Sequence, residues 1–262
     1  MQRSQRPADY QHVPRPVAAM ARNYPDQWAI GSHHHPRAQL IHAVSGVMLV
    51  EAAGHAWLIP PGQALWMPAG VPHQMKMSGM VSMKTLYIDA RAARPLPREP
   101  VVVQVTTLLR ELIVRATELP VLYDRRGPAG RLMQLLFDEL AAMRPLQLSL
   151  PLPRDRRLRR LCDAMRADLS RHIGIAGHAR VFGMTERTLA RAFRRDLQMT
   201  FGQWHRQLRL LEATRRLATG APVATIAAEL GYSGPSAFTA MFRRALGMSP
   251  REYRRSLPVA VS

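Results

Sequence analysis

Apolar and polar positions change rhythm twice along this chain. Between residues 13 and 90, the short apolar runs QLIHAV, GVMLVEA, HAWLIP, QALWMP and MKTLYID are separated by Gly, Pro and Ser. Runs of that length at close spacing predict the strands of a sandwich or small antiparallel barrel. Ser45–Gly46 and Ala53–Gly54 are the expected hairpin turns. The segment ARPLPREP, residues 93–100, carries three prolines and closes the β region.

From 101 to 144 the rhythm becomes helical and predicts two helices. The first aligns Val105, Leu108, Leu109, Leu112 and Ile113. The second aligns Leu132, Leu135, Leu136 and Leu140. Their apolar faces must be buried, either on the β region or against a second copy of the chain. RPLQLSLPLPRDRR, residues 144–157, reads as a Pro-rich linker. Beyond it everything is helical, beginning with the stripe Leu158, Leu161, Cys162, Met165 and Leu169.

Two segments of this last region share a layout. HARVFGMTERTLARAFRRDL spans 178–197 and IAAELGYSGPSAFTAMFRRALG spans 226–247. Each opens with a small residue, Ala179 or Ala227, on a short helix. A glycine follows, Gly183 or Gly231, where the chain must turn tightly. A polar residue then caps a second helix, Thr185 in the first segment and Ser233 or Ser236 in the second. That helix carries a bulky pair four residues apart, Leu189/Phe193 or Phe238/Phe242, followed by Arg-Arg. This is the physical layout of a helix-turn-helix. The intervening FGQWHRQLRLLEATRRLATG, residues 201–220, reads as one helix about 25 Å long. It would set the two units about one duplex turn apart.

Charge supports a polyanionic partner. The formal net charge is +19. Residues 154–262 hold 21 Arg, no Lys and 8 acidic residues, a net +13, against +6 for residues 1–153. A field concentrated in this way points to DNA, RNA or an anionic membrane, and charge alone does not choose among them. No apolar stretch is long enough to span a bilayer, and MQRSQRPADYQHVPRP lacks the apolar core of a secretory signal. Cys162, the one cysteine, rules out an internal disulfide framework and fits a reducing cytoplasm.

Residues 158–254 resemble the DNA-binding domain of the AraC/XylS family. The resemblance rests on Ala227, Gly231-Tyr232, Phe238, Phe242-Arg243-Arg244, Gly247, Ser249-Pro250 and Tyr253, and on the paired units. On the first reading helix, Leu189, Ala192 and Phe193 point inward, which leaves Glu186, Arg187, Ala190, Arg191 and Arg194 outward. Arg187 and Arg191 are the expected base readers. Arg194 and Arg195 are the expected phosphate contacts. On the second helix, Ser236, Thr239, Ala240 and Arg243 point outward. The family often has Arg where this chain has Ala240, so shape or phosphate contacts are expected to dominate there.

Residues 13–90 resemble a cupin. His33, His35, Gln39 and Gly46 match its first motif, and Gly62, Pro68, Gly70 and His73 match its second. The resemblance implies a small antiparallel β-barrel. It also implies a divalent metal on His33, His35 and His73, a set that suits Zn, Ni, Fe or Cu. Two positions depart from the motifs: Gln39 replaces the acidic ligand, and Met77 stands where Asn is usual. His33 and His35 are expected on one face of a strand, while His34 and His42 face away. Gln39, Trp57, Trp66 and Tyr87 are candidate ligand-lining residues.

The expected whole is α+β in two domains. Residues 1–100 form a cupin-like sensor barrel, 101–144 helices that dimerise, 145–157 a linker, and 158–255 a double helix-turn-helix domain. The expected function is a cytoplasmic, non-enzymatic DNA-binding regulator. A metal or small effector would control it, with double-stranded DNA, a second copy and RNA polymerase as partners. The resemblances imply an activator, and genes for efflux of or resistance to toxic compounds. The alternatives are a metal-dependent cupin enzyme and a constitutive architectural DNA binder.

Overall fold

A computed structural model describes residues 4–146, 148–169 and 173–256. These residues form two compact units. One comprises residues 4–53 and 57–146, the other 54–56 and 148–256. No helix among the described residues is long and apolar enough to cross a membrane.

The first unit is an antiparallel sheet with two helices. The strands of the sheet are β1 (Val17–Tyr24), β2 (Ala29–His33), β3 (Ala38–Ala52), β4 (His55–Ile59), whose first two residues belong to the other unit, β5 (Gln63–Met67), β6 (His73–Ile88), β7 (Val101–Gln104) and β8 (Pro145–Leu146). They lie in the order β1-β6-β3-β5-β7-β8, with β2 beside β6 and β4 beside β3. The architecture is barrel-like, and its hydrogen-bonded path stays open. The frame is the long β3/β6 pair, which runs from Ala38↔Ile88 to Ala52↔His73.

Two expectations fail here. Ser45–Gly46 is not a hairpin turn, because β3 runs straight through it. The register shifts on both sides of Ser45, the excess residue falling first on β3 and then the excess falling on β6, so the pair bulges here rather than turning. Gly46 has φ +74°, and a Cβ there would lie 2.6 Å from the Met80 carbonyl oxygen. That close approach is the reason for glycine. The true turn is Ala53–Gly54, with φ +46° and +74°, as two-residue hairpins require. The second failure is at residues 101–104. They form a strand on β5 rather than the start of a helix, because a run of β-branched valines favours a pleated surface.

The helices are α1 (Thr107–Ala116), capped by Thr106, and α2 (Pro128–Ala141). They pack on one face of the sheet. Leu109, Leu112, Ile113, Met133, Leu136 and Leu140 share a buried core with Leu40, Ala64, Trp66, Leu86 and Val103. Most of the expected helical stripe is therefore spent on the sheet. Leu108 and Leu135 remain 47% and 43% exposed.

His42 sits on the same strand as Leu40, with 0% exposure. Its Nδ1 is 2.9 Å from the Gln63 carbonyl oxygen. Burial, with Arg110 adding to it, pushes its pKa down to about 4. In the unfolded chain the group titrates near 6.5. Above that pH it is neutral in both states and has no effect. As pH falls towards 4, only the unfolded state takes up the proton, and stability is lost. At pH 5 the loss from this residue should be about 2 kcal/mol. His42→Asn keeps a donor for the Gln63 carbonyl. Urea denaturation at pH 7.5 and pH 5 should therefore show a smaller acid loss in the variant. An equal loss in both proteins would overturn this assignment.

The main part of the second unit begins at Leu148. The expected linker is thus no loose tether: Leu148, Leu150 and Leu152 are all buried, and Leu150–Pro151 form the short strand β9. Alternation of leucine with Ser149 and Pro151 gives this segment one apolar edge. Seven helices follow among the described residues: α3 (Arg156–Ala167), α4 (Ile175–Val181), α5 (Glu186–Leu197), α6 (Phe201–Ala218), α7 (Val223–Glu229), α8 (Pro235–Leu246) and α9 (Pro250–Ser256). The central helix α6 starts with a capping box, Thr200 and Gln203 exchanging side chain-to-backbone bonds. Along it Trp204, Leu208, Leu211 and Leu217 are buried, as the spacing predicted.

Candidate DNA interface and histidine cluster

The two helix-turn-helix units are α4/α5 and α7/α8. Ala179 and Ala227 are 1% and 0% exposed, so each crossing is made by a residue small enough for close approach. The turns are made at Gly183 and Gly231, with φ +60° and +73°. Arg157 Nη2 donates to the Phe182 and Gly183 carbonyl oxygens at 2.6 and 2.8 Å. It thereby closes the C-terminus of α4 from a neighbouring helix. The sequence reading missed this role, because an Arg in a run of Arg carries no local signal.

Thr185 caps α5 by accepting from Thr188 N at 3.1 Å. The second cap differs from expectation. Neither Ser233 nor Ser236 caps α8; Gly234 is the N-cap and Pro235 opens the helix. Proline needs no partner for an N–H it lacks, so the first turn starts without a side-chain cap.

Both reading helices present the expected faces. Leu189, Phe193 and Leu197 of α5 are buried, while Arg187, Arg191, Arg194 and Arg195 are exposed and Ala190 half-buried. On α8, Phe238 and Phe242 are buried, Ser236, Ala240 and Arg243 exposed, and Thr239 half-buried. A concavity of about 660 Å³ runs beside this helix, with Ser236, Thr239, Ala240 and Arg243 on its wall. Glu252 reaches Arg243 Nη2 at 3.6 Å, a loose exposed pair that a phosphate can displace.

The second site lies in the sheet unit. His33 ends β2 and stands opposite His73, the first residue of β6. His35 is not on the same strand face as His33, contrary to expectation. It lies past the end of β2, just before Pro36, which has no N–H to continue a ladder. The three rings nonetheless converge, with centroids 4.3 Å apart for His33–His73, 4.9 Å for His33–His35 and 5.5 Å for His35–His73. One nitrogen from each lies within 4.8 Å of the others. His34 is exposed, and His42 faces the helices.

Tautomers follow from the carbonyls. His33 Nδ1 is 2.8 Å from the Gly31 oxygen and His73 Nδ1 is 3.0 Å from the Val71 oxygen. A carbonyl only accepts, so in the neutral form of each ring Nδ1 carries the proton and Nε2 offers a lone pair. His73 Nε2 is buried with no hydrogen-bond partner among the described residues. Burial, then the neighbouring histidines, push the His35 pKa down to about 4. Burial also lowers that of His73. Uncharged, carbonyl-oriented imidazoles are what a metal ligand set requires, so these residues fit the ion that the cupin motifs imply.

Of the candidate lining residues, Tyr87 stands edge-on to His35 at 5.1 Å. Gln39, 2% exposed, donates from Nε2 to Thr85 Oγ1 at 2.9 Å and towards Tyr87 Oη at 3.4 Å. Thr85 was missed; its signal is a small hydroxyl side chain in the alternating run Met83, Thr85, Tyr87. Trp57 is buried on β4, which pairs with β3 rather than with β2 or β6. Trp66 is a correction. It pairs with Leu40 and faces the helices, with Nε1 donating to the Pro97 oxygen at 2.7 Å. Strand parity puts it on the opposite face from Gln39 and Met67.

Comparison with known proteins agrees with both halves. Residues 16–174 match the AraC-like ligand binding domain and residues 178–256 a helix-turn-helix domain. The HTH-type transcriptional regulator NimR of Escherichia coli (strain K12) is 31% identical over 221 residues, covering 84% of this chain and 81% of NimR. The HTH-type transcriptional activator RhaR of Yersinia pseudotuberculosis serotype O:3 (strain YPIII) is 31% identical over 106 residues, 40% of this chain and 36% of RhaR. Among solved structures, ToxT of Vibrio cholerae is similar at 11% identity, over 93% of this chain and 99% of ToxT, with a TM-score of 0.39. A ligand-binding sheet domain ahead of two consecutive helix-turn-helix units, with a relative matched along most of both chains, settles the family: the chain belongs to the AraC family of DNA-binding transcription regulators.

Proposed function

We propose that this regulator is controlled by a divalent transition metal, zinc, nickel or iron, held by His33, His35 and His73. The observation that carries the reading is the convergence of three imidazole nitrogens within 4.8 Å, with His73 Nε2 buried and unpartnered among the described residues. The residues' own part is to hold and orient the ion. The Gly31 and Val71 carbonyls fix two rings, and Tyr87 packs on the third. For a switch, the ion must favour one arrangement of the DNA-binding units over another.

Elemental analysis of the purified, untagged protein tests this beside a His33→Ala/His35→Ala variant. A near-stoichiometric metal, lost in the variant, is expected. Restoring it to stripped wild-type protein should shift affinity for promoter DNA by about tenfold. Absence of metal, or DNA affinity indifferent to it, would refute the reading.

The regulator acts as a homodimer and as an activator. Exposed Leu108 and Leu135 on α1 and α2 support the dimer, since closed two-fold assembly is the usual state of such chains. Sedimentation should show a dimer that Leu108→Glu/Leu135→Glu converts to monomer. A wild-type monomer, or a variant still dimeric, excludes this face. Activation is supported by the relatives named as transcriptional activators, and RNA polymerase is the partner it implies. Control of efflux or resistance genes rests on the barrel motifs, and transcript profiling of a deletion strain tests it.

A further inference from the structure

Gln39 occupies the position where the motif places an acidic ligand, and its surroundings determine which way the amide points. Thr85 Oγ1 donates its one proton to the Leu40 oxygen at 2.9 Å. It must therefore accept from Gln39 Nε2, also at 2.9 Å. The amide is held with Oε1 on the other side, buried and without a hydrogen-bond partner among the described residues. The donors that this part of the sheet offers, three imidazoles and one amide oxygen, are all neutral.

Nor does a carboxylate approach from elsewhere in the motif region. Residues 13–100 contain four acidic side chains, and none is buried. Asp26 accepts from Gly79 N at 2.7 Å. Glu51 lies on the face opposite Ala52, which is the partner of His73, and accepts from Gln74 Nε2 at 3.1 Å. Asp89 accepts from Ala92 N at 2.8 Å. Glu99 is exposed. A divalent cation on three neutral rings would keep both charges in a largely buried place, which is costly unless an anion accompanies it.

We propose, building on the metal reading above, that Gln39 makes the site take its cation together with an organic monocarboxylate, which is the effector class. The carboxylate supplies the charge that position 39 lacks. Its apolar body meets the residues on the same face, Met67 opposite Gln39 and Ile41 beyond it, with Met75 beyond His73. His33, only partly buried, keeps the cluster reachable from solvent.

The test is the zinc dissociation constant of the full chain, by competition with a chromophoric chelator in perchlorate buffer. Acetate, benzoate or benzyl alcohol is added in separate arms. In wild type, acetate should tighten zinc binding about tenfold and benzoate more, because charge compensation and apolar contact add. Benzyl alcohol, which lacks the charge, should do nothing. Gln39→Glu should bind zinc about tenfold more tightly without any anion and lose the response to acetate. Zinc bound equally well with and without carboxylate overturns this proposal and leaves the metal reading standing. Failure of zinc, nickel and iron alike to bind under any condition overturns both. The wild-type arms decide the matter even if Gln39→Glu does not fold.

Discussion

Trp204→Ala should cost the second unit about 3–5 kcal/mol, the range for deleting a large buried aromatic. Trp204 is 0% exposed. Its ring meets Phe193 of the first reading helix edge-on at 5.8 Å, and Phe193 meets Phe201 at 5.4 Å. Its Nε1 donates to the Pro151 oxygen at 2.8 Å. Truncation therefore opens a cavity under α5 and orphans a carbonyl. Trp204→Phe restores most of the packing but not the donor, and should lose about 1 kcal/mol. Urea denaturation followed by helical circular dichroism separates the two. Because α5 rests on this ring, DNA binding should fall with the Ala variant near its unfolding midpoint and be kept by Phe. An Ala variant as stable as the Phe variant would mean that α5 is held by something else.

What the sequence made legible depended on period and on glycine. The helix-turn-helix units were readable because their anchors are local. Ala179 and Ala227, Gly183 and Gly231, and the paired aromatics all lie within one segment of about 20 residues. The histidine cluster was readable as a set, because spacing within two motifs carries it. Its geometry was not, since His35 leaves the strand at Pro36 and only the β2/β6 register brings His73 across. Trp66 shows the limit of composition. An indole near a pocket motif looks like a lining residue, yet parity along β5 turns it to the helices. Gly46 shows another, because a glycine in an apolar run marks either a turn or a bulge, and only the partner strand decides between them. The segment 145–157 looked like a tether because it is rich in proline. Its alternate leucines, buried in the structure, were the signal that composition masked.

Raising salt from about 50 to about 200 mM should weaken DNA binding by about 10³-fold. That figure follows if six phosphates are neutralised, since affinity falls with the power of about 0.9 per phosphate. The guanidiniums of both reading helices are exposed and can make such contacts, and residues 154–262 carry a net charge of +13. The four Arg of α5 should divide by role. Arg187 and Arg191 lie one helical turn apart on the outward face, towards the N-terminal half of the helix that enters a major groove. Arg191→Ala should cost about 1–3 kcal/mol on the preferred sequence and little on others, relaxing specificity at the base it reads. Arg194 and Arg195 lie in the last turn, where a docked helix passes the backbone. Their double replacement by Ala should weaken binding equally on all sequences and lower the salt slope by about 2. Titrations of specific and scrambled duplexes at several salt concentrations measure both quantities at once. A specificity loss from the Arg194/Arg195 pair, or a slope change without one from Arg191, would reverse the assignment and place the C-terminal end of α5 against the bases.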